Sequence, residues 1–209
     1  MKLLRHGPVG AEKAGALDKQ GRMRDLSLLV PDWTPEWLSP EKLDAIAAID
    51  LERMPFVPEN SRIGTPVAGV RQFVAIGLNY RKHALESGME IPDEPVVFAK
   101  AITSLAGPND NVVLPEGAET ADWEIELGVV IGTTARQVSV DDALKHVAGY
   151  CLANDVSERD WQIHRNGLGI EIEGCARCGG KLKIIASIEE PQVIAKILSH
   201  LEKTAPEHY

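Results

Sequence analysis

The stretch that decides the fold is WEIELGVVIG, residues 123–132. Its Ile, Val, Leu and Trp, closed by glycine, have the texture of a β-strand. Alternate side chains of a strand share a face, so Glu124 and Glu126 point the same way, with Cα atoms ~7 Å apart. Trp123, Ile125 and Leu127 are then expected on the other side, in apolar surroundings. Two like charges on one face of a largely buried strand are unfavourable unless something neutralises them. A divalent cation does this, and hard Mg²⁺ or Mn²⁺ prefers carboxylate oxygens. A solvated strand face carrying both carboxylates is the competing reading, and the pattern alone leaves both open.

Outward from this strand the same texture recurs. FVAIGL (73–78), PVVFAK (95–100), NVVLP (111–115) and YCLAND (150–155) are short runs rich in Val, Ile and aromatics, separated by Gly, Pro, Asn and Asp. Helices are expected near Tyr80–Ser87 and over Val140–His146, the latter capped by Ser139 with Asp142 three residues on. The fold class is α+β and mostly β, with a mixed β core. Neither G-x-G-x-x-G after a strand nor G-x-x-x-x-G-K-[ST] occurs, so nucleotide binding has no support.

Towards the N-terminus, KLLRHG and GALDKQGRMRDLS read as short strands around a DKQG turn. Ser39-Pro40-Glu41 opens a helix whose apolar face is Leu43, Ile46 and Ala47. The Pro- and Gly-rich stretch Met54–Gly69 reads as a boundary. Three segments follow: a small accessory domain at 1–68, a β-rich domain at 69–168 and a strand–helix tail at 169–209. In the tail Pro191 starts an amphipathic helix lined by Val193, Ile194, Ile197, Leu198 and Leu201.

Asp155 ends the run Tyr150–Ala153, where a loop carboxylate can converge on the Glu124–Glu126 face; making the turn with Asn154 is its plainer role. Ser157 and Asp160 read as the start of another helix. His83 and Glu86 are three apart on a helical turn, ~5–6 Å between Cβ atoms, which suits a carboxylate orienting a general-base imidazole. A surface pair is the alternative. Cys175 and Cys178 resemble one knuckle of a zinc ribbon, but no second pair follows at ligand spacing. Cys151, inside an apolar strand, is expected to be buried and inert.

The chain has 209 residues, 44% hydrophobic and 25% charged, with 3 cysteines and a net charge of −9. That is globular composition, without a disulfide framework or an apolar run of the ~20 residues needed to cross a bilayer. A cytoplasmic protein with no membrane and no nucleic-acid partner is expected, since an acidic chain without a basic, aromatic-rich patch repels nucleic acid.

With those residues in hand, AIGLNYRKHALESG (75–88), EPVVFAKAITSLAGPND (94–110), DWEIELGVVIG (122–132) and VAGYCLANDVSERDWQ (147–162) resemble successive motifs of the fumarylacetoacetate hydrolase family. The opening MKLLRHGPVG…GRMRDLS resembles the small N-terminal domain of its bacterial two-domain members, often labelled ureidoglycolate lyase. The resemblance runs from Met1 to about Gly167. It implies a β-roll of mixed strands and a metal-dependent hydrolase or lyase of small 2-oxo acids or ureidoglycolate. It further implies Mg²⁺ or Mn²⁺ on Glu124, Glu126 and Asp155, a water- or proton-activating pair in His83 and Glu86, and a small carboxylate substrate lined by Lys100 and Gln162. Members are commonly homodimers.

After DVSERDWQ the family usually continues W-x-K-G-K-x-x-D-x-F-x-P-x-G-P, supplying a catalytic lysine; here the chain reads IHRNGLGIEIEGCARCGGK, and Lys181 sits in a foreign context. The segment CARCGGKLKIIASIEEPQVIAKILSHLE resembles the C-terminal end of certain bacterial transposases. A β-roll truncated near Gly167 and fused to that tail is therefore expected, with turnover impaired and, in the limit, a remnant that at most binds a metal. Local and global signals were not matched to each other there, so the tail strand KLKIIASI is not expected to complete the sheet.

Overall fold

In the computed structural model, residues 1–86, 88–165 and 182–186 are described. The Cys175–Cys178 pair, Lys181 and the amphipathic helix expected after Pro191 lie outside them.

The N-terminal strands form as their alternation requires. Strands β1 (Lys2–His6), β2 (Lys13–Leu17) and β3 (Met23–Asp25) make an antiparallel sheet in that order. The DKQG turn closes because the Asp18 carboxylate accepts the backbone N–H of Gln20 and of Arg22, each at 2.9 Å, while Gly21 takes φ 78°. Helix α1 (Pro40–Ala47) starts at the extended Ser39 with proline in its first turn. Ala14, Ala16, Leu26, Val30, Trp33 and Ile46 form the core beneath this sheet. Trp33 is fully buried, and its indole N–H is shared between the carbonyls of Leu4 (2.8 Å) and Gly15 (3.1 Å). Ile46 alone of the expected helix face is buried; Ala47 is exposed, because α1 touches the sheet along a stripe too narrow to reach it.

The stretch 54–69, read as a linker, is bound to this module along its length. Val57 N–H donates to Met23 O (3.0 Å), Gly64 N–H to Arg5 O (2.8 Å), and Ile63 bridges His6. Arg62 then crosses to the second part of the chain, its guanidinium 2.6 Å from Asp110 and 2.8 Å from Glu12. Glycine lets the two parts close up: a Cβ on Gly107 would stand 2.2 Å from Ile63 O, and one on Gly132 2.2 Å from Leu38 O.

Beyond residue 72, β4 (Val74–Gly77) and β5 (Val96–Ala99) form an antiparallel hairpin around α2 (Arg81–Glu86). Next come the short β6 (Leu105–Ala106) and β7 (Ala121–Asp122), the long β8 (Ile125–Ile131), α3 (Val140–Ala143), β9 (Val147–Asn154) and β10 (Ser157–Glu158). A π-helical turn spans Asp160–Arg165, and β11 is Leu182–Ala186. One sheet runs β6-β11-β9-β8; β7 pairs with β10. The architecture is α+β and mostly strand.

Four expectations are corrected. NVVLP forms no strand: prolines 108 and 115 flank it, and Asp110 ties its start back to Arg62 and the Gly107 N–H (2.7 Å). Helix α3 ends after four residues and tightens into a 3₁₀ turn, Leu144–His146, while the Ser139 hydroxyl donates to the Asp142 carboxylate (2.8 Å), leaving the helix N–H groups uncapped by it. Ser157 lies in β10, and Glu158 instead accepts the N–H of Trp161 (2.9 Å) at the start of the π-helical turn. Finally, the strand taken from the tail enters the sheet: β11 pairs antiparallel with β9 and parallel with β6. Backbone pairing needs only an unfilled edge and extended, β-branched residues, which KIIA supplies.

Candidate active site

Two strands bring the acidic residues together. β8 and β9 run antiparallel with Ile125 opposite Asn154 and Glu126 opposite Ala153. Just before β8 begins, the Asn154 side-chain carbonyl accepts the Glu124 N–H (3.2 Å), and the Asp155 N–H donates to Glu124 O (2.8 Å). Glu124 and Asp155 are thus locked side by side, with Glu126 two residues along the same strand. Gly128 lies opposite Cys151, where a Cβ would meet the Cys151 sulfur at 2.6 Å. Burial pushes the Cys151 thiol up to about 11, the state of an inert thiol.

The strand's two faces are reversed from expectation. Trp123 is 70% exposed and Ile125 44% exposed, whereas Glu126 is half-buried and Asp155 buried. The carboxylates therefore face the interior, and their apolar neighbours lie on the open side.

Each carboxylate has a different partner. Glu124 faces the Arg159 guanidinium at 2.5 Å, a group that also holds Asp122 (3.0 Å) and donates to the Gln162 side-chain carbonyl (3.1 Å). Asp155 is paired with the Lys100 ammonium, and both side chains are buried. Glu126 accepts a hydrogen bond from the neutral amide of Asn79 (3.0 Å). Four carboxylates, counting Asp122, thus meet two cations, and Glu126 faces a neutral amide. Burial first, then the charges of Glu124 and Asp155, push the Glu126 carboxyl up to about 7 against the opposing pull of Asn79 and Lys100.

Helix α2 carries both His83 and Glu86. Both side chains are exposed, and no hydrogen bond or ion pair joins them to each other. His83 is close enough to Asp122 to help lower that carboxyl, after the larger effects of Arg159 and the Trp123 N–H. Lys100, expected along a substrate pocket, is directed onto Asp155. Gln162 is half-buried beside Arg159.

Among the described residues, no set of three His, Cys, Asp or Glu side chains is gathered at metal-binding distance. Donor chemistry nevertheless fits a hard divalent ion: all three groups are carboxylates, on adjoining backbone positions, with a cation in place on two of them. Sequence reasoning missed Asn79, Tyr80 and Arg159. All three lie within the motifs quoted above, but a lone amide, phenol or guanidinium has no spacing signature to single it out.

A β module seated on a mixed sheet, with acidic residues at the head of one strand and the end of its neighbour, defines a recognisable class of protein. Residues 72–182 match the family model of the fumarylacetoacetate hydrolase C-terminal domain, and the chain belongs to that family. The match extends to residue 182, past Gly167 where a truncation was expected. A Burkholderia ambifaria protein with a provisional hydrolase name is 54% identical over 167 residues, covering 80% of this chain and 59% of its own. This chain therefore spans about three-fifths of that relative. Among solved structures, the fumarylacetoacetate hydrolase of Exiguobacterium antarcticum superposes with TM-score 0.63 at 28% identity, covering 87% of this chain and 64% of that one. A Mycobacterium smegmatis protein assigned as HpcE superposes with TM-score 0.74 at 28% identity, covering 92% and 67%.

Proposed function

We propose that this chain carries the acid-binding centre of a metal-dependent hydrolase or lyase acting on small 2-oxo acids, such as an acylpyruvate, a fumarylacetoacetate-like diketo acid or oxaloacetate, or on ureidoglycolate. The observation that carries the proposal is the Asp155 N–H to Glu124 O hydrogen bond, which sets two carboxylates side by side next to a third with a raised pKa. A perturbed acid in a half-buried cluster of carboxylates marks a functional site more often than a structural one.

Glu124, Glu126 and Asp155 are the residues that would hold Mg²⁺ or Mn²⁺. When bound, the ion supplies a positive centre for the carboxylate and 2-oxo oxygens of the substrate and for the enolate that develops there. Lys100 and Arg159, held on Asp155 and Glu124, are the cations that would face the substrate's carboxylate, with Gln162 beside Arg159. His83 takes a proton from water or from the substrate carbon, with Glu86 turning to orient its imidazole. Family membership, the named hydrolase relative and the superposed hydrolase support the reaction class. Described residues include no helix long and apolar enough to cross a membrane, which is compatible with a cytoplasmic location. A homodimer is supported by the exposed apolar side chains Val74, Ile76, Val97, Val129 and Ile131 on the sheet faces.

The test is turnover of oxaloacetate, an acylpyruvate and ureidoglycolate with Mg²⁺ or Mn²⁺, with Glu124→Ala as control. Metal-dependent turnover lost in Glu124→Ala supports the proposal; equal rates in both proteins refute it. Folded protein that binds the ion and turns over none of the three points instead to a metal-binding remnant.

A further inference from the structure

We infer that Asn79 and Tyr80 are positioning residues that fix Glu126 and the head of its strand for a divalent cation, and tie that strand to the helix bearing His83. This rests on the metal-site reading above and adds to it two residues with no assigned role. Neighbours in sequence, they grip neighbours in β8: the Asn79 amide donates to Glu126 Oε2 at 3.0 Å and the Tyr80 hydroxyl to Ile125 O at 2.8 Å. The segment is held in an uncommon conformation to do so. Leu78, at the exit of β4, has φ 52°, a left-handed value that a non-glycine residue adopts when its surroundings impose it.

The same residues launch α2. Tyr80 O accepts the Ala84 N–H at 3.1 Å, and Ala84 is fully buried, so the helix start is anchored one turn from His83. A single four-residue step thus sets both the Glu126 carboxylate and the origin of the His83 helix. The chemistry of Asn79 distinguishes it from the other two partners. Lys100 and Arg159 neutralise their carboxylates and must be displaced by an incoming cation. A neutral amide holds one oxygen of Glu126 and leaves the other to the ion.

The test is Mg²⁺ titration calorimetry on the full chain, with Asn79→Ala and Tyr80→Phe compared with the parent and Mn²⁺ electron paramagnetic resonance as a second readout. Outer partners of ligands typically set about 10–100-fold of metal affinity. Asn79→Ala is expected to weaken Mg²⁺ at least about tenfold and to alter the bound-Mn²⁺ spectrum, with near-UV dichroism retained. Tyr80→Phe, which loses only the hydroxyl, is expected to weaken it in the same direction by less. Parent-like affinity and spectrum in Asn79→Ala overturn the inference, as does an affinity loss accompanied by lost dichroism, which marks unfolding. A parent that binds no Mg²⁺ is a separate outcome: it refutes the metal-site reading itself, and the inference with it.

Discussion

The guanidinium of Arg159 lies 2.5 Å from the Glu124 carboxylate, while the Lys100 ammonium is paired with Asp155 on the adjoining strand end. These cations do for the carboxylate group what a metal does: they make like charges tolerable at close range. The difference lies in the energetics. Two side-chain cations leave Glu126 without a cation of its own, and its carboxyl is pushed up by burial first and then by the charges of Glu124 and Asp155.

Removing the buried cation is therefore costly. Lys100→Met leaves Asp155 buried and unpaired, and breaking such a pair destabilises by about 3–5 kcal/mol. Thermal unfolding is expected to show a markedly lower Tm for Lys100→Met in metal-free buffer. Saturating Mg²⁺ is expected to recover more Tm in the variant than in the parent, because the ion then supplies the only counter-charge.

The Glu126 carboxyl, pushed up to about 7, sets a pH dependence. Its folded value lies above the ordinary 4.5, so the native state binds this proton more tightly than the unfolded chain does. Its contribution to metal-free stability is thus fully present below pH about 4.5 and is lost as pH rises through about 7. Metal binding runs the other way, since a ligand must be ionised. Mg²⁺ affinity measured by calorimetry is expected to fall as pH drops below about 7, by up to about tenfold per pH unit, with one proton released per ion. A flat profile between pH 5 and 8 (about the range that brackets this group) contradicts the assignment.

How much of this was legible beforehand follows from the kind of signal each feature leaves. Strands β1, β2, β4, β5, β8 and β9 were readable because alternation and β-branched runs report directly on a pleated backbone. The shared face of Glu124 and Glu126 follows from the strand period, whereas Asp155 joined them only through the family resemblance, since the end of YCLAND alone reads equally as a turn. The burial of their face was not: Trp123 and Ile125 look like core by composition, yet which face of a strand is covered is decided by distant segments that periodicity does not encode. NVVLP failed for the same reason, its backbone diverted by Asp110 and flanking prolines. Asn79 and Arg159 act through single hydrogen bonds and ion pairs, and these leave no pattern in a sequence.

Cross-strand packing gives a prediction independent of chemistry. Gly128→Ala places a methyl 2.6 Å from the Cys151 sulfur, inside the sheet that presents the carboxylates. Overpacking of this kind costs about 1–3 kcal/mol. Urea denaturation is expected to show that loss, and Cys151→Ala in the same chain to restore most of it, since the offending atom is then gone. Equal stabilities for the parent, the single and the double variant contradict the close approach.

In the N-terminal module, Trp33→Phe keeps most of the buried ring but removes the indole N–H shared by the Leu4 and Gly15 carbonyls, which face each other across β1 and β2. A loss of about 0.5–1.5 kcal/mol is expected from the lost hydrogen bond, read as a lower urea midpoint. Trp33→Ala adds the cavity and is expected to cost about 3–5 kcal/mol. If the two variants prove equally stable, the indole N–H contributes nothing.

The central claim is that three carboxylates at the meeting of β8 and β9 take a divalent cation in exchange for Arg159 and Lys100. Titrating Mn²⁺ and following the free-ion paramagnetic resonance signal tests it without relying on turnover. One Mn²⁺ is expected to bind per chain, and that site is expected to be lost in Glu124→Ala and in Asp155→Ala, each still folded by circular dichroism. Folded parent protein that leaves the free-ion signal undiminished, or variants that bind as the parent does, would contradict it.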